Sequence, residues 1–180
     1  MEIVKKHTDV IHYYKIFIRG LPHTRNYGIS KAIGNIIIFC NDDVIIHPNF
    51  IKNHIKNYED KEIWGVGGRI INVGNQYRYS NIVNTEDTVK KFITNHGIRR
   101  IGRVWWWDAN LIYNFDATIR TYVDHVQGCN ISYRKEALIE GGGFYERFGG
   151  SAHLEESDLC MRIRRAGHKT VPDPLQCLSI

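Results

Sequence analysis

Apolar residues in the first part of the chain switch between two periods, one typical of strands and the other typical of helices. Ile16 and Ile18 alternate with their neighbours, which predicts a short strand. Ile29 and Ile33 then fall at helical spacing. The continuous run Ile36–Cys40 is β-branched and aromatic, and such a run is typical of a central parallel strand that is buried on both faces.

The same alternation continues as far as residue 71. Pro48 stands where a second helix would begin. The apolar face of that helix consists of Phe50, Ile51, Ile55 and Tyr58. The segment Ile63–Ile71 predicts another strand. Strands that alternate with helices in this way predict an α/β fold, a three-layer α/β/α sandwich with a mostly parallel central sheet.

A long polar stretch interrupts the second half of the chain. Residues 72–121 are rich in Asn and Tyr and contain the WWW cluster at 105–107. We interpret them as an excursion over the face of the domain that would carry the active site. Beyond them, residues 122–126 predict a strand, Lys135–Glu140 a short helix, and residues 155–166 a final helix.

Length and composition fit one globular domain that covers residues 1–180. Hydrophobic residues make up 43% and charged residues 24%, which excludes a disordered or fibrous protein. The longest apolar run is far shorter than the roughly 18 residues that suggest a membrane span. The first ten residues also lack the apolar core of a signal peptide. These features predict a cytoplasmic protein and leave open a peripheral contact with a membrane.

The cysteines and the net charge narrow the classes of site and partner. The four cysteines include no CxxC pair, which argues against a zinc knuckle and against a disulfide scaffold. The formal net charge of +5 suits a nucleotide diphosphate or a phospholipid-linked acceptor as well as nucleic acid. Because the basic residues are mostly interleaved with acids and form no recognisable DNA- or RNA-binding module, we expect no nucleic-acid partner.

Two carboxylates, Asp42 and Asp43, follow the predicted strand Ile36–Cys40 almost directly, after Asn41. Ligands of open α/β sheets bind beyond the carboxyl ends of the strands, and hard oxygen ligands there suit Mg²⁺ or Mn²⁺. Asn and Asp are also ordinary turn residues, so a simple turn at the strand end is the alternative interpretation.

Acidic residues crowd the start of the final predicted helix, in the sequence LEESDL at 154–159. A carboxylate beside a bound donor could accept a proton from an attacking hydroxyl group. Because the helix dipole favours acids at a helix N-terminus, a purely structural role is the alternative.

A third group of candidates contains Gly128, Asn130 and Trp106. Gly128 would permit the close approach of a ligand, and Asn130 offers both donor and acceptor groups to sugar hydroxyls. Trp106, within the tryptophan cluster, could stack on a sugar ring or rest on a membrane interface. A tight chain reversal at Gly128 and a place in the core for the tryptophans are the alternatives.

Taken in this order, the segments resemble the inverting nucleotide-sugar glycosyltransferases of family two. That family has the GT-A fold and includes rhamnosyl-, galactosyl- and glucosyltransferases. The sequence TRNYGI at 24–29 is similar to the family's ARNxGI segment, and the resemblance implies that Arg25 contacts the donor nucleotide or its phosphates. The sequence NDD at 41–43 is similar to the DxD metal motif, with Asn41 in place of the first aspartate. The resemblance implies that Asp43 and Asp42 bind Mn²⁺ or Mg²⁺, and that Asn41 and Asp42 face the donor.

The later segments carry the rest of the resemblance. GCNISYR at 128–134 and GGFYE at 142–146 are similar to the family's GxNxxxR and GGFDE segments, which lie beside the donor sugar and the acceptor. We therefore assign Gly128 and Asn130 to the binding of the sugar or the acceptor. Trp106 joins them because its ring could stack on a sugar. EESDLCMR at 155–162 is similar to the ED-type motif and places Glu156 at the position of the catalytic base, with Glu155 beside it.

The chain departs from the family pattern at its beginning. Family members begin with an IPTYNR-like strand and a following VVDDGS-like strand, which bind the base and the ribose, and neither is present here. The resemblance therefore predicts an N-terminally incomplete sandwich. It also predicts either self-association or a partner chain that supplies the missing strands, because unpaired sheet edges favour pairing with another chain.

The sequence thus predicts a metal-dependent glycosyltransferase of glycan or polysaccharide biosynthesis. Its partners would be a nucleotide-sugar donor and a glycan, lipid-linked or protein acceptor. In the implied reaction Glu156 deprotonates the acceptor hydroxyl, and direct displacement inverts the anomeric carbon. The alternative is a degenerate, non-catalytic sugar- or nucleotide-binding fragment, or one part of a split enzyme.

Overall fold

The structure of the protein is a computed structural model that describes residues 10–71, 120, 122–148 and 154–179. Residue 120 apart, the predicted excursion over residues 72–121 lies outside these ranges. The elements in chain order are α1 (Leu21–Lys31), β1 (Ile36–Cys40), β2 (Ile45–Ile46), α2 (Phe50–Lys56), a 3₁₀ turn (Asn57–Glu59), β3 (Ile63–Ile71), β4 (Asn130–Arg134), α3 (Lys135–Glu140), α4 (Glu155–Arg165) and β5 (Lys169–Ser179). No helix within the described ranges has the length and apolar character needed to cross a membrane.

The five described strands form one mixed sheet in the order β1-β4-β3-β5-β2. β3 and β5 run parallel, and the other three neighbouring pairs run antiparallel. The mixture of strands and helices around a central sheet agrees with the predicted α/β class. The described sheet has one parallel pair among its four neighbouring pairs, which is fewer than a mostly parallel sheet would have.

The expectation of a central parallel strand at Ile36–Cys40 is wrong. Among the described strands, β1 pairs only with β4, and the two are antiparallel, with Ile36 opposite Arg134 and Cys40 opposite Asn130. The first four residues of β1 are only partly buried. A continuous apolar run indicates a strand, but it carries no information about the neighbouring strands or their direction.

Two further predicted strands are absent. Residues 10–20 contain no strand, and Ile18 is 64% exposed. Residues 122–126 form an irregular segment, in which the N–H of Val123 donates to the carbonyl oxygen of Thr170 at 2.9 Å. A β-rich sequence forms a strand only where an aligned partner is present, and local pattern does not show that partner.

The predicted apolar face of helix α2 is only partly correct, since Phe50 and Tyr58 are buried as expected. Ile51 and Ile55 are exposed, whereas Phe50 and His54 are buried. The ring nitrogens of His54 form buried hydrogen bonds to side chains of β4. A hydrophobicity pattern reads a histidine as polar, so it could not predict that this residue faces inward.

Helix α4 agrees closely with its prediction. Leu159 and Ile163 are buried, and Gly167, with a φ of 93°, follows the end of the helix, whereas Ala166 is exposed. The largest core cluster includes residues of β4, α3 and α4, namely Ile131, Tyr133, Ala137, Leu138, Leu159, Cys160 and Ile163. This packing holds α4 against the sheet and thereby positions the acids at its first turn.

Candidate active site

Three segments that are far apart in the sequence meet at the side chain of Arg25. Its Nη1 donates to Oε1 of Glu155 at 2.8 Å, and its Nη2 donates to the carbonyl oxygen of Gly128 at 3.1 Å. Glu155 is the first residue of α4, and Gly128 lies just before β4. Arg25 therefore ties helix α1 to the starts of α4 and β4.

The surroundings of Arg25 explain why an arginine is buried here. Pro22 lies in the first turn of α1, and Arg25 and Ile29, which are four residues apart, are buried on that helix. The guanidinium carbon lies 5.8 Å from the ring centroid of Phe39 and 5.0 Å from that of Phe144. Because a guanidinium group is weakly hydrated and stacks on aromatic rings, it tolerates such a position, and Arg25 is only 8% exposed.

Glu155 is a buried acid with a strongly shifted proton affinity. It is 1% exposed. Burial raises the pKa of the Glu155 carboxyl to about 7, and the charge of the adjacent Glu156 raises it as well, whereas Arg25 lowers it. With this pKa, the Glu155 carboxyl titrates near neutral pH.

Glu156 is the more accessible of the two neighbouring acids. Its side chain is 18% exposed, and its Oε1 lies 3.9 Å from Nη1 of Arg25. A Cβ atom added to Gly128 would lie only 2.0 Å from this Oε1 and 2.5 Å from Nη2 of Arg25. A glycine at this position therefore allows the close approach of the Glu156 carboxylate. The contact of Gly128 with a sugar or an acceptor stays a prediction.

The residues that follow β1 lie beside those that precede β4. The antiparallel register places Cys40, the last residue of β1, opposite Asn130, the first residue of β4. Asn41, Asp42 and Asp43 then continue from β1 and are exposed. The strand pairing thus brings the acidic segment after β1 towards the segment that contains Gly128.

The electrostatic surroundings of the Cys129 thiol indicate that the acidic groups share one neighbourhood. Burial raises the pKa of Cys129 to about 11, and the carboxylates of Glu156 and Asp43 also raise it, whereas Arg25 lowers it. Since electrostatic effects of this kind act over short distances, Asp43 and Glu156 both lie near this buried thiol. The region combines several acids with one buried cation.

Asp42 and Asp43 have the chemistry of a magnesium or manganese site. Within the described ranges, no three His, Cys, Asp or Glu side chains form a group that could hold a metal ion. Mg²⁺ is usually held by one or two carboxylates together with water and substrate phosphates. Two exposed carboxylates after one strand fit an ion that a diphosphate helps to coordinate, and they do not fit a cage of protein ligands alone.

Asn130 belongs to a buried polar network. It is 0% exposed. Its Oδ1 accepts a hydrogen bond from Nε2 of His54 at 3.0 Å, and its Nδ2 donates to the carbonyl oxygen of Arg69 at 3.0 Å. Nδ1 of His54 lies 2.8 Å from Oγ of Ser132, and burial lowers the pKa of His54 to about 4, so the ring is neutral. These internal partners occupy the amide of Asn130. The contact with a sugar that we expect of this residue stays a prediction.

Asn26 shapes the site, although the sequence analysis did not single it out. Its Nδ2 donates to the carbonyl oxygen of Phe144 and to Oε1 of Glu146, both at 2.8 Å, and its Oδ1 accepts from the N–H of Phe144 at 2.8 Å. Gly143, with a φ of 70°, leaves room for this side chain, since a Cβ there would lie 2.6 Å from Oδ1 of Asn26. The available signal was the position of Asn26 directly after Arg25 in the TRNYGI sequence.

The structure brings most of the predicted site residues into one region. Four of them form a single contact group: Arg25, Gly128, Glu155 and Glu156. Asn41, Asp42 and Asp43 follow the strand that pairs with β4. Trp106 lies outside the described residues.

The chain matches a known family over most of its length. The family described as Glycosyl transferase family 2 matches residues 1–142, which is most of the chain. The chain belongs to glycosyl transferase family 2. The family that the motifs indicate is thereby confirmed.

Relatives of this family 2 chain are distant in sequence and close in fold. The glucosyl-dolichyl phosphate glucuronosyltransferase of Haloferax volcanii is 20% identical over 166 residues, which cover 86% of the chain and 45% of the relative. A mannosyltransferase from Pyrobaculum calidifontis, solved with GDP-Man and Mn²⁺, has a TM-score of 0.64 at 14% identity, over 99% of the chain and 42% of that protein. GalNAc-T7, solved with UDP, GalNAc and Mn²⁺, has a TM-score of 0.67 at 15% identity, over 99% of the chain and 34% of that protein.

These comparisons confirm the predicted GT-A-like α/β fold of the family 2 chain. Both solved relatives hold Mn²⁺, in agreement with the expected class of cofactor. The chain spans less than half the length of each of these relatives.

Proposed function

We propose that this chain transfers a sugar from a nucleotide-diphosphate donor to a hydroxyl group of an acceptor, with a divalent metal ion and with inversion at the anomeric carbon. The observation that carries the proposal is the position of Glu156. Its partly exposed carboxylate lies against the backbone of Gly128, beside the buried pair of Arg25 and Glu155. Family membership supports the same class of reaction.

Glu156 is the general base in this proposal. Glu155 is enclosed and bonded to Arg25, so of the two acids only Glu156 is open to an incoming hydroxyl group. A general base must come within hydrogen-bond reach of the proton that it removes. As Glu156 takes the proton, the acceptor oxygen bonds to the anomeric carbon, and the bond to the nucleotide diphosphate breaks. A single displacement of this kind inverts the configuration.

Asp43 and Asp42 would hold the metal ion, and Asn41 and Asp42 would face the donor. Their position after β1 is where ligands of α/β sheets bind, at the end of β1 that pairs with the start of β4. A bound Mg²⁺ or Mn²⁺ ion would neutralise negative charge on the departing diphosphate. The exposed carboxylates attract that cation.

The compounds bound to the solved relatives support a nucleotide-sugar donor. One relative contains GDP-Man, and the other contains UDP with GalNAc. The name of the Haloferax relative includes a dolichyl phosphate. We therefore propose a nucleotide-sugar donor and a glycan, lipid-linked or protein acceptor for this chain.

We also propose that the outer edge of β1 pairs with a strand of a second copy or of a partner chain. Within the described sheet β1 has β4 as its one neighbour. Unpaired backbone groups along a strand favour such pairing.

A transfer assay tests the proposed reaction. The chain is incubated with UDP- and GDP-sugars and with glycan and polyprenyl phosphate acceptors, with Mn²⁺ or with a chelator, and proton NMR reads the anomeric configuration of the product. We expect transfer only with the divalent ion, and an inverted product. Nucleotide binding without transfer would favour a non-catalytic binding module, and a retained configuration would contradict single displacement.

A further inference from the structure

We propose that Arg25 is a positioning residue for the general base, because its guanidinium group fixes the backbone and the carboxyl group between which Glu156 lies. The proposal rests on the proposed function, in which Glu156 takes the proton of the acceptor. It assigns Arg25 a role inside the protein, which differs from the donor contact that the family resemblance implies.

The first argument is that the guanidinium group points at protein atoms. Nη1 and Nη2 donate to Glu155 and to the Gly128 carbonyl oxygen, and the rings of Phe39 and Phe144 lie near the guanidinium carbon. Arginine donors have a fixed planar geometry, so two such bonds determine the orientation of the whole group. An arginine that is 8% exposed and bonded in this way is arranged to hold protein groups in place.

The second argument concerns what Arg25 holds. Glu155 begins α4 and Gly128 precedes β4, so the two hydrogen bonds set the distance between these elements. Glu156 lies in the space between them, 3.9 Å from Nη1 of Arg25 and too close to Gly128 for a Cβ atom. A change in the hydrogen bonds of Arg25 therefore moves Glu155 and the backbone of Gly128, which lie on either side of the Glu156 carboxylate.

The third argument is electrostatic. Glu155 and Glu156 are adjacent acids, and the buried one already binds its proton near neutral pH. The charged groups that act here are Arg25 from α1, Glu155 and Glu156 from α4, and Asp43 after β1, which acts on Cys129 together with Glu156 and Arg25. Arg25 is the one cation among these groups. Its charge favours the ionised form of Glu155, so its loss would leave more proton on that carboxyl group at pH 7.

Arginine and lysine variants separate positioning from donor binding. Lysine keeps the charge and loses the two-pronged geometry, and methionine loses both. Because small displacements of a reacting group reduce rates strongly, we expect Arg25→Lys to lower kcat about 10-fold and Arg25→Met about 100-fold. The acid limb of the kcat/KM profile should move to higher pH in Arg25→Met. The Kd for UDP or GDP with Mn²⁺ should stay within about twofold of the wild type.

Arg164→Lys is the control. Arg164 also belongs to an ion pair between α4 and a buried acid, since its Nη1 lies 2.5 Å from Oδ1 of Asp124, and it has no assigned role in the reaction. We expect kcat and the pH profile of this variant to remain close to those of the wild type. Equal losses of kcat in Arg25→Lys and Arg164→Lys, with an unchanged pH profile in Arg25→Met, would show that Arg25 only stabilises the fold. A raised nucleotide Kd with unchanged kcat in Arg25→Lys would instead establish a donor contact.

A second measurement does not depend on turnover. Carboxyl ¹³C chemical shifts of Glu155 are followed by NMR against pH in the wild type and in Arg25→Met, with thermal unfolding to confirm that the variant is folded. Since Arg25 lowers the pKa of Glu155, we expect its titration to move above the wild-type value of about 7. An unchanged titration in a folded variant would overturn the positioning role. If the wild type failed to transfer sugar while this shift was observed, the proposed function would be wrong and the coupling of Arg25 to Glu155 would stand.

Discussion

Glu155 and Glu156 are neighbours in the sequence, yet the fold places them in different environments. Glu155 is enclosed and bonded to Arg25, whereas Glu156 remains partly open beside Gly128. Adjacent acids whose environments differ in this way can take different roles, one holding structure and the other accepting a proton. Which of the two is the base is therefore a question that substitutions can answer.

We predict that Glu156→Gln lowers kcat by about 100-fold or more, because the amide cannot accept the proton of the acceptor. Nucleotide affinity should change little, since Glu156 does not contact the diphosphate in the proposed reaction. Glu155→Gln should reduce kcat less. Initial rates of nucleotide release, with calorimetry for UDP and GDP, check both parts. A larger loss in Glu155→Gln than in Glu156→Gln would assign the base to Glu155.

Asp43→Asn should weaken the binding of Mn²⁺ in the presence of UDP or GDP, because a charged carboxylate is a stronger ligand of a hard cation than a neutral amide. Calorimetric titration of Mn²⁺ measures the change. Glu140→Gln is the control, since Glu140 is an exposed acid at the end of α3 and should leave the affinity unchanged. Equal affinities in the wild type and in Asp43→Asn would remove Asp43 from the metal site.

Among the secondary-structure elements, those whose signals lie within their own sequence were predicted best. The spacing of Leu159 and Ile163 and the glycine after the helix were sufficient to predict α4. The place of β1 depends on β4, which is distant in the sequence, so its position at the edge could not be read from an apolar run. Likewise, the motifs placed Arg25 and Glu156 in one site, but neither motif shows that the main acidic partner of Arg25 is Glu155.

The turn that precedes β4 allows a test of how closely the elements of the site approach one another. Gly128→Ala places a methyl group where Oε1 of Glu156 and Nη2 of Arg25 now lie, so we expect kcat to fall by about 10-fold or more. Gly28→Ala is the control, because a Cβ at this exposed position in α1 meets no atom within 4 Å, and alanine should raise stability by about 0.5–1 kcal/mol. Steady-state kinetics and thermal unfolding of both variants give the comparison. Wild-type kcat in Gly128→Ala would show that the close contact with Glu156 is not needed.

The described part of the molecule assembles its candidate site from elements spread along the chain. Arg25 comes from α1, the acidic segment 41–43 follows β1, Gly128 precedes β4, and the two glutamates begin α4. These elements meet because β1 pairs with β4 and because α4 packs into the core beside β4. The integrity of the site therefore depends on the strand β1, which lies at the edge of the described sheet.

We predict that the protein associates through the outer edge of β1. The residues Ile36–Phe39 are only partly buried, and β1 has one neighbouring strand in the described sheet, so pairing with a further strand would satisfy its outward backbone groups. Light scattering over a dilution series should show a mass that rises with concentration. A reductant must be present, because Cys40 is an exposed thiol at the end of β1 and could otherwise form disulfide dimers.

Amide hydrogen exchange then locates the contact. Exchange in residues 36–40 should slow as the protein is concentrated, while exchange in β4, which is paired on both sides, should stay constant. A constant monomeric mass would contradict self-association, and association without slower exchange in β1 would place the interface elsewhere on the molecule.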